Sequence, residues 1–371
     1  MKHNLQLERI LFDLNRGNQI ILSDNENISN ILFSSTETIN ENTLNFHRKF
    51  SNSFPSILLS PERCKTLNIN TDYCCSLTLN LEWTISRIYK LAFGSDIDTF
   101  LDLNGVIEEK SRLMNLSLQI LKKGKILPSG IFSIINNSLK MPIDQLAIQN
   151  KMSFFNISEL DKIFEIKKPT IEIVTQAKLP IKKTNDAEII VFKFNNEPKD
   201  YFCILIGKVN SINSSNLIPT VRIHSQCVTG DIFHSLKCDC GEQLNQSINY
   251  MVRNNGGIIL YLEQEGRGIG LANKMRAYSL QARGMDTIDA DHNIGFLDDE
   301  RDFNIAARIL KLLKIKKVNL ITNNKNKINS IKKAGIKVEN QINTKPTLNK
   351  FNKNYFKTRV KKAGYGLKLV V

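Results

Sequence analysis

Residues 258–271 read IILYLEQEGRGIGL, an uninterrupted apolar run followed by a loop with glycines at alternate positions and then by the start of a helical pattern. A continuous apolar run bounded by turn residues is typical of a strand buried on both faces. Working outward, we predict further strands at Val221–His224 and Val318–Thr322 and helices at Gly241–Asn254 and Leu271–Arg283. The sequence therefore predicts an α/β (α+β) fold, with mixed sheets flanked by helices.

The first half of the chain carries its own alternation of patterns. Helical or strand-like periods occur at Leu7–Leu14, Gln19–Leu22, Trp83–Leu91, Leu113–Leu121 and Ile126–Phe132. A helical pattern then runs into charges and Pro169, which is typical of a junction. Because 371 residues favour two domains, we predict one over 1–168 and a second over 169–371.

The formal net charge of +15 is typical of proteins that bind nucleic acids, because Lys and Arg clusters neutralise phosphates. However, Lys, Asn and Ile are abundant throughout, which favours a general compositional bias, and a basic surface also suits a polyphosphate substrate. Nucleic-acid binding is therefore not the expected main function. The charged first residues and the lack of a long apolar run predict a cytoplasmic protein without a membrane segment.

The seven cysteines divide into two groups. Four of them, Cys64, Cys74, Cys75 and Cys203, have strand-like apolar surroundings and are expected to be packing residues without disulfides. Cys227, Cys238 and Cys240 form a C-x10-C-x-C set beside Gly241, at the start of a predicted helix. A glycine lets the backbone approach a metal, and a helix start stabilises thiolate charge.

Three thiolates without a fourth nearby indicate a catalytic zinc, whose remaining position is open to water. Two alternatives compete with this interpretation. His224 or His234 could supply a fourth ligand and close the site, or the cysteines could be core residues without metal. Nucleobase deaminases use such three-ligand zinc to activate water against a ring carbon between nitrogens.

Two further clusters have a structural and a functional interpretation each. The loop Glu265–Leu271 follows a predicted strand, so its backbone N–H groups could bind anionic oxygens, or it could simply be a tight turn. In Asp298–Phe303, Asp298 or Asp299 could be a helix N-cap and the other charges a solvated first turn. Spacing alone favours the cap.

Four segments, taken together and in order, resemble GTP cyclohydrolase II: Arg222–Asp231, Cys238–Gly241, Glu265–Leu271 and Asp299–Phe303. The similarity begins near Ile171 and continues to the tail. The resemblance implies hydrolysis of GTP to 2,5-diamino-6-ribosylamino-4(3H)-pyrimidinone 5′-phosphate, formate and diphosphate, the first step of riboflavin biosynthesis.

The same resemblance implies roles for individual residues. Zn²⁺ bound by Cys227, Cys238 and Cys240 would present the water that attacks purine carbon 8, and Mg²⁺ would help to hold the triphosphate. Asp299 matches a proton acceptor and Tyr278 a tyrosine near the opened ring. The matching GTP contacts are Arg222, Ile223, His224, Ser225, Gln226, Gln243, Glu265, Gly266, Arg267, Thr287, Thr322 and Lys327.

Arg301 matches a residue proposed to attack the α-phosphorus. A protonated guanidinium is no nucleophile, so stabilisation of phosphate charge is the plainer role. Gln226 departs from the family, which usually has glutamate before the first cysteine, and an acid or base role there is not expected. We expect a homodimer.

The first domain resembles 3,4-dihydroxy-2-butanone 4-phosphate synthase, a usual fusion partner, through Leu11–Leu22, Ile31–Phe33 and Pro128–Gly130. That enzyme binds magnesium with a D-R-E-N-E-G-D cluster and a later histidine. Here Asp24–Asn30 has two of the acids replaced, and no histidine lies between His47 and His224. We hypothesise that this domain folds but no longer catalyses. The alternatives are an enzyme that also acts on ribulose 5-phosphate, and a non-catalytic nucleotide- or RNA-binding protein.

Overall fold

The computed structural model describes residues 2–24, 29–51, 53–95, 105–135, 141–164, 170–195, 199–207, 218–353 and 356. The chain divides into two compact units, one of Met1–Lys167 with Ala272–Asp298 and one of Lys168–Leu271 with Asp299–Val371. The predicted boundary at Lys168 lies outside the described residues, as do residues 25–28 of the degenerate acidic cluster. The segment Ala272–Asp298, although it comes late in the sequence, groups with the first unit.

Strands and helices are numbered in chain order. The strands are β1 (Ile20–Asp24), β2 (Ser29–Ser35), β3 (Ser56–Leu59), β4 (Cys74–Thr78), β5 (Ile107–Glu109), β6 (Ser129–Ile134), β7 (Ser153–Asn156), β8 (Ile171–Lys178), β9 (Ala187–Phe194), β10 (Asp200–Ile206), β11 (Thr220–Ser225), β12 (Gly257–Leu262), β13 (Lys317–Ile321) and β14 (Lys337–Ile342). The α-helices are α1 (Lys2–Asn15), α2 (Glu41–Ser51), α3 (Pro61–Thr66), α4 (Ile85–Phe93), α5 (Arg112–Lys123), α6 (Ile143–Gln149), α7 (Ile157–Phe164), α8 (Val228–Asp231), α9 (Cys240–Arg253), α10 (Leu271–Ala282), α11 (Thr287–Asn293), α12 (Asn304–Leu312) and α13 (Lys325–Lys333).

The first unit is built on a mixed sheet in the order β5-β4-β3-β6-β2-β1-β7. Its strand pairs are antiparallel except β1 with β7. Successive residues of β1 and β2 enter different apolar clusters, with Ile20 and Phe33 on one face and Ile21 and Leu32 on the other. Helices therefore cover both faces of this sheet, as uninterrupted apolar strands predict.

The second unit has a mixed sheet in the order β14-β13-β11-β12-β10-β9-β8. The four strands from β14 to β12 are parallel, and the remaining pairs are antiparallel. Ile258 and Leu260 pack in a cluster with α12, whereas Ile259 packs on the opposite face with Met251 of α9. The predicted fold class is confirmed for both units.

The main correction to the predicted elements concerns Trp83. The helix predicted over Trp83–Leu91 begins at Ile85, because Thr84 is its N-cap and the Thr84 hydroxyl accepts a hydrogen bond from the Arg87 N–H. Trp83 lies before the helix and is buried. Among the helices that the structure describes, none is both long and apolar enough to cross a membrane.

The four cysteines expected to be packing residues are fully buried and free. Cys64 and Cys75 share one apolar cluster, Cys74 lies in another cluster of the first unit, and Cys203 lies in the core of the second. The prediction that they serve packing is confirmed.

Candidate metal and nucleotide site

Three neighbouring parallel strands of the second unit, β11, β12 and β13, end at the same edge of the sheet. Cys227 follows β11, and Thr322 follows β13. The loop Glu265–Leu271, called the glycine loop below, follows β12. The carboxyl ends of parallel strands form the crevice where α/β sheets bind ligands. Chain topology alone thus brings the predicted thiol and loop segments to one place.

The three thiols of Cys227, Cys238 and Cys240 form a compact cluster, with all Sγ atoms within 4.8 Å of one another. The Sγ atoms of Cys227 and Cys238 are 3.6 Å apart. Tetrahedral zinc with Zn–S bonds of about 2.3 Å separates two sulfurs by about 3.8 Å. The spacing therefore fits a shared metal ion.

Two glycines make room for this cluster. A Cβ on Gly230 would lie 2.8 Å from Cys238 Sγ and 3.1 Å from Cys227 Sγ, and a Cβ on Gly241 would collide with the Gly230 carbonyl. Real Cβ atoms do not approach sulfur or oxygen so closely, so both positions need glycine. The backbone is thus folded around the thiols.

The electrostatics of the thiols also suit a cation. The hydrogen bond to Cys227 and burial together raise the pKa of Cys238 to about 11, although a hydrogen bond with Cys240 opposes the rise. The pKa of Cys240 is also raised well above its ordinary value, by hydrogen bonds with Cys227 and Cys238 and by burial. Three thiolates this close repel one another, and a divalent cation would offset that repulsion.

Neither histidine proposed as a fourth ligand joins the thiols. Among the described residues, the group of potential ligands that surrounds this point contains only the three cysteines. His224 Nε2 lies 3.1 Å from both carboxylate oxygens of Asp231, and His234 is exposed. Burial lowers the pKa of His224, although Asp231 partly opposes this effect. The described residues therefore do not form a closed four-ligand site.

Asp231 ties the thiol loop to the sheet. Its carboxylate accepts hydrogen bonds from the Cys227 N–H at 3.0 Å and the Tyr261 hydroxyl at 2.9 Å, besides its contact with His224. Tyr261 and His224 also stack, with ring centroids 5.5 Å apart. Sequence reasoning missed the roles of Asp231 and Tyr261, because only the fold shows that β12 places a hydroxyl beside β11.

A second polar chain links the other two cysteines to β11. Asp239, which lies between Cys238 and Cys240, accepts a hydrogen bond from the Gln243 amide at 2.6 Å. Gln243 in turn accepts one from the Arg222 guanidinium at 2.7 Å. Lys327 of α13 donates to the Ile223 carbonyl at 2.8 Å. Three of the predicted nucleotide contacts, Arg222, Gln243 and Lys327, thus surround the same strand.

The glycine loop is a left-handed 3₁₀ turn rather than a simple link between strand and helix. Gly266 and Arg267 have φ values of 61° and 58°. A non-glycine residue such as Arg267 is strained in this region and keeps the conformation only because the surrounding structure enforces it. Glu265 accepts hydrogen bonds from the Val228 N–H at 2.6 Å and from the Gly266 N–H at 3.0 Å. Glu265 therefore joins this loop to the turn that carries Cys227.

The glycine loop also contacts the charged segment Asp298–Phe303. The Glu300 N–H donates to the Arg267 carbonyl at 3.0 Å, and a Cβ on Gly268 would lie 2.8 Å from the Glu300 carbonyl. Gly268 has a φ of 99°, which disfavours any other residue. This close approach fixes Asp299–Arg301 against the loop.

Asp299 and Arg301 form a fork-like ion pair, with Nε to Oδ1 at 2.7 Å and Nη2 to Oδ2 at 2.6 Å. Burial raises the pKa of Asp299, but the hydrogen bonds and charge of Arg301 and the charge of Arg267 outweigh burial and lower it overall. Arg301 Nη1 also lies 3.4 Å from Ser225 Oγ. Neither Asp298 nor Asp299 is the N-cap of α12, because this helix begins at Asn304 after the N-cap Phe303, and it is Asp302 that accepts a hydrogen bond from the Asn304 N–H at 2.8 Å.

Two predicted site residues, Tyr278 and Thr287, belong to the segment Ala272–Asp298 and hence to the first unit. Tyr278 lies in α10 beside Lys274, whose Nζ is 5.6 Å from the ring centroid. Thr287 begins α11, after the N-cap Asp286. The other predicted site residues lie in the second unit.

The second unit combines a mixed α/β sheet with a cysteine cluster that can hold a metal ion at the carboxyl edge of its parallel strands. The sequence profile of GTP cyclohydrolase II matches residues 172–343. GTP cyclohydrolase-2 of Psychromonas ingrahamii is 46% identical over 182 residues, which cover 49% of this chain and 89% of that protein. The riboflavin biosynthesis protein RibBA of Endomicrobium trichonymphae is 30% identical over 394 residues, covering 96% of each chain. The chain belongs to the GTP cyclohydrolase II family.

Solved structures give a weaker comparison. RibBX of A. baumannii, a two-domain 3,4-dihydroxy-2-butanone 4-phosphate synthase, covers 91% of this chain with a TM-score of 0.35 and 14% identity. The corresponding enzyme of Candida albicans covers 43% with a TM-score of 0.35 and 16% identity. Similarity this low does not bear on what the first unit does.

Proposed function

We propose that the protein hydrolyses GTP to 2,5-diamino-6-ribosylamino-4(3H)-pyrimidinone 5′-phosphate, formate and diphosphate, the entry reaction of riboflavin biosynthesis. The observation that carries this proposal is the three-thiol cluster, which lies at the same sheet edge as the glycine loop and the Asp299–Arg301 pair. Family membership supports GTP as the substrate.

The thiols of Cys227, Cys238 and Cys240 would hold Zn²⁺. When bound, zinc supplies a Lewis acid that lowers the pKa of water toward neutrality. The glycines at 230 and 241 keep side chains away from the thiols, and Asp231 fixes the Cys227 backbone. A metal with an open position is what attack on a ring carbon requires.

The polyphosphate would be bound by cationic side chains of the same unit. Arg222, Arg267, Arg301 and Lys327 are anchored through their side chains or backbones around β11 and the glycine loop. Guanidinium forks match phosphate oxygens with two hydrogen bonds each. Mg²⁺ accompanying the triphosphate would reduce the remaining repulsion between its charges.

Asp299 would accept a proton during ring opening, and its pairing with Arg301 limits that role in the resting enzyme. A carboxylate held by two guanidinium hydrogen bonds is a weak base. When phosphate draws the Arg301 fork away, Asp299 becomes more basic. Arg301 therefore acts by charge stabilisation of the α-phosphate, and it couples phosphate binding to the basicity of Asp299.

The first unit is proposed not to act on ribulose 5-phosphate. His47 is fully buried, and its ring nitrogens lie 2.9 Å from Ser34 Oγ and 3.0 Å from Ser133 Oγ. Because both ring nitrogens of His47 are engaged and the ring is closed off from solvent, His47 itself is not available as a metal ligand. The acidic cluster Asp24–Asn30 has also lost two of the acids that the resemblance would require.

The decisive experiment supplies the purified chain with GTP and Mg²⁺, and separately with ribulose 5-phosphate. We expect formate and diphosphate in equal amounts from GTP, and no product from the pentose phosphate. Retention of RNA without any release of formate would instead support the nucleotide-binding alternative.

We further propose a cytoplasmic homodimer. No disulfide bond joins any two of the seven cysteines in the described part of the chain, which suits a reducing compartment. Strand β8 lies at the edge of its sheet with Ile173 and Val174 about half exposed, a surface that a second copy would cover. Sedimentation of the purified protein tests the dimer.

A further inference from the structure

The sheet of the second unit carries a separate cleft at the edge opposite the thiol cluster. The cleft has a volume of about 730 Å³ and is lined by residues of β8, β9, β10 and β12 and by the segment that follows α12. Ile258, which lines it, is the second residue of β12, whereas the glycine loop follows the end of that strand. The four residues from Ile258 to Leu262 span about 13 Å at the usual rise of a strand. The cleft is therefore distinct from the candidate metal and nucleotide site.

The strand register explains how polar and apolar side chains meet in this cleft. Lys178 of β8 is directly opposite Glu188 of β9. Glu188 is in turn opposite Leu205 of β10, and Leu205 is opposite Ile258 of β12. Side chains that are directly opposite in an antiparallel pair point to the same face of the sheet. One row on this face thus runs from an exposed cation through a carboxylate to two buried apolar side chains.

A bulge in β8 adds further side chains to the same face. The register of β8 against β9 shifts between Ile173 and Thr175. Ile173 is opposite Phe192 and Gln176 is opposite Ile190, and both partners belong to one apolar cluster. In a regular strand, residues three apart point to opposite faces, so the extra residue is what turns both Ile173 and Gln176 toward the cleft.

The end of α12 leaves the space that the cleft occupies. Helix α12 packs on this face of the sheet through Ala306 and Leu310, which belong to the same apolar cluster. Its C-cap is Leu313, and the Ile315 N–H donates to the Leu310 carbonyl at 2.9 Å, so the chain turns away from the helix axis there. Leu313 and Ile315 line the cleft. The cleft is thus the part of this sheet face that lies beyond the end of α12.

The charges around the cleft favour a cation. Of the described residues that line it, the charged ones are Lys178, Asp186 and Glu188, which gives one more negative than positive charge. The backbone of Asp186 is held in place, because its N–H donates to Thr184 Oγ1 at 3.1 Å and its carbonyl accepts from the Gly207 N–H at 2.9 Å. The chain as a whole has a net charge of +15 and so favours anions on average. The rim of the cleft has the opposite preference.

From this geometry we propose that the cleft binds a small organic cation with an apolar body, that is, an amine or guanidinium compound that carries a ring or a branched chain. The apolar body lies on Ile190, Leu205 and Ile258, and the cationic group meets Asp186 and Glu188. The volume is that of a small-molecule site, in which apolar contact supplies affinity and a few polar groups fix the orientation. This binding function is independent of GTP hydrolysis.

The test uses the full-length protein and two probes of the same shape, 2-phenylethylammonium and 3-phenylpropionate, which carry opposite charges. Saturation-transfer NMR observed on the probes measures their affinities. We expect the amine to bind about fivefold more tightly than the acid, which is the size of effect that partly exposed ion pairs allow. The positive net charge of the chain favours the acid, so non-specific attraction cannot produce this result.

Three variants test the cleft itself. Glu188→Gln and Asp186→Asn should each reduce the preference for the amine, and the double variant should abolish it. Gln176→Trp fills the cleft from an exposed strand position that tolerates an aromatic residue, and it should abolish saturable binding of both probes. Glu172→Gln is the matched control, because Glu172 is opposite Lys193 in the row next to Ile173 and therefore lies on the other face of β8.

The proposal is overturned if the acid binds as tightly as the amine, or if neither probe shows saturable binding to the wild-type protein. It is also overturned if the preference survives in the double variant, or if Glu172→Gln loses it to the same extent. Unchanged binding to a Gln176→Trp protein with a wild-type circular dichroism spectrum would place the probes elsewhere and refute the site. Formate release from GTP is measured separately, so failure of the proposed function is distinguishable from failure of this one.

Discussion

Gly230 and the three thiols around it show how closely single residues determine the metal site. A side chain at position 230 would clash with the sulfur atoms of Cys238 and Cys227 and displace them. The sequence revealed the three cysteines by their spacing, but the need for glycine at position 230 follows only from the folded backbone. Substitution of one thiol is the simplest test of the site.

Cys238→Ser should lose bound zinc and GTP ring opening while the fold persists, because a serine hydroxyl is a poor zinc ligand at neutral pH. Elemental analysis, formate release and circular dichroism measure the three effects. Cys203→Ala is the control, since this core thiol of the same unit should cost stability but not zinc. Full activity of Cys238→Ser would refute the metal assignment.

Arg301→Lys keeps a positive charge but removes the planar fork that holds Asp299 and, in our proposal, the α-phosphate. We expect kcat to fall on the order of a hundredfold, as for other lost charge-stabilising donors. The pKa of Asp299 should rise, so the acidic limb of the pH–rate profile should move to higher pH. Arg253→Lys, at the exposed end of α9, should behave as wild type. An unchanged rate in Arg301→Lys would exclude the fork from catalysis.

At the scale of elements, the short helix α8 depends on its last residue. Asp231 connects α8 to β11 through His224 and to β12 through the Tyr261 hydroxyl, and it also accepts a hydrogen bond from the N–H of Cys227, the N-cap of α8. Glu265 connects α8 to the glycine loop. The sequence predicted β11 and β12 well, because continuous apolar runs report burial directly. The sequence could not predict these hydrogen bonds, because the local sequence pattern around a carboxylate in a turn does not depend on whether the side chain faces solvent or a neighbouring strand.

Asp231→Asn should weaken zinc retention by roughly 10- to 100-fold, the usual effect of disturbing groups that orient metal ligands. The amide would present an NH₂ group to donors that need an acceptor. Competition with a chelator measures the change. Asp200→Asn, an exposed position of the same unit, provides the baseline, and equal zinc retention in the two variants would show that Asp231 does not orient Cys227.

At the scale of the whole molecule, the stability of the first unit should depend on pH through His47. Burial lowers the pKa of His47 from 6.5 to about 3. Its folded-state pKa thus lies below the unfolded value, so the unfolded chain binds more protons as pH falls from 6.5 toward 3, and stability is lost across that window. The expected loss between pH 7 and pH 5 is about 2 kcal/mol from this group.

Trp83 is the single tryptophan and lies buried in the first unit, so its fluorescence reports unfolding of that unit. Denaturant titrations at the two pH values should show the loss in the wild type and a smaller one in His47→Gln, even if that variant is less stable at both. Equal losses would mean that other groups dominate the acid response.

The division of the molecule into units was the least predictable feature. The helical pattern of α10 predicted a buried face, but a pattern does not say which surface the face will meet. The side chains that hold this part of the chain, such as Glu37 and Ser60, are more than 200 positions earlier. Contacts between residues so far apart along the chain produce no pattern that can be recognised in a single sequence. The strands, the cysteine spacing and the glycine loop, in contrast, are local features of the sequence.

The late position of Ala272–Asp298 also constrains how the protein is made. A nascent chain leaves the ribosome from its N-terminus, at about 5–20 residues per second. The first unit cannot complete its packing at residue 167, because part of its interior is translated only at residues 272–298. Until then, the surfaces that receive α10 and α11 stay open, and the newly synthesised protein must wait on the order of ten seconds at those rates.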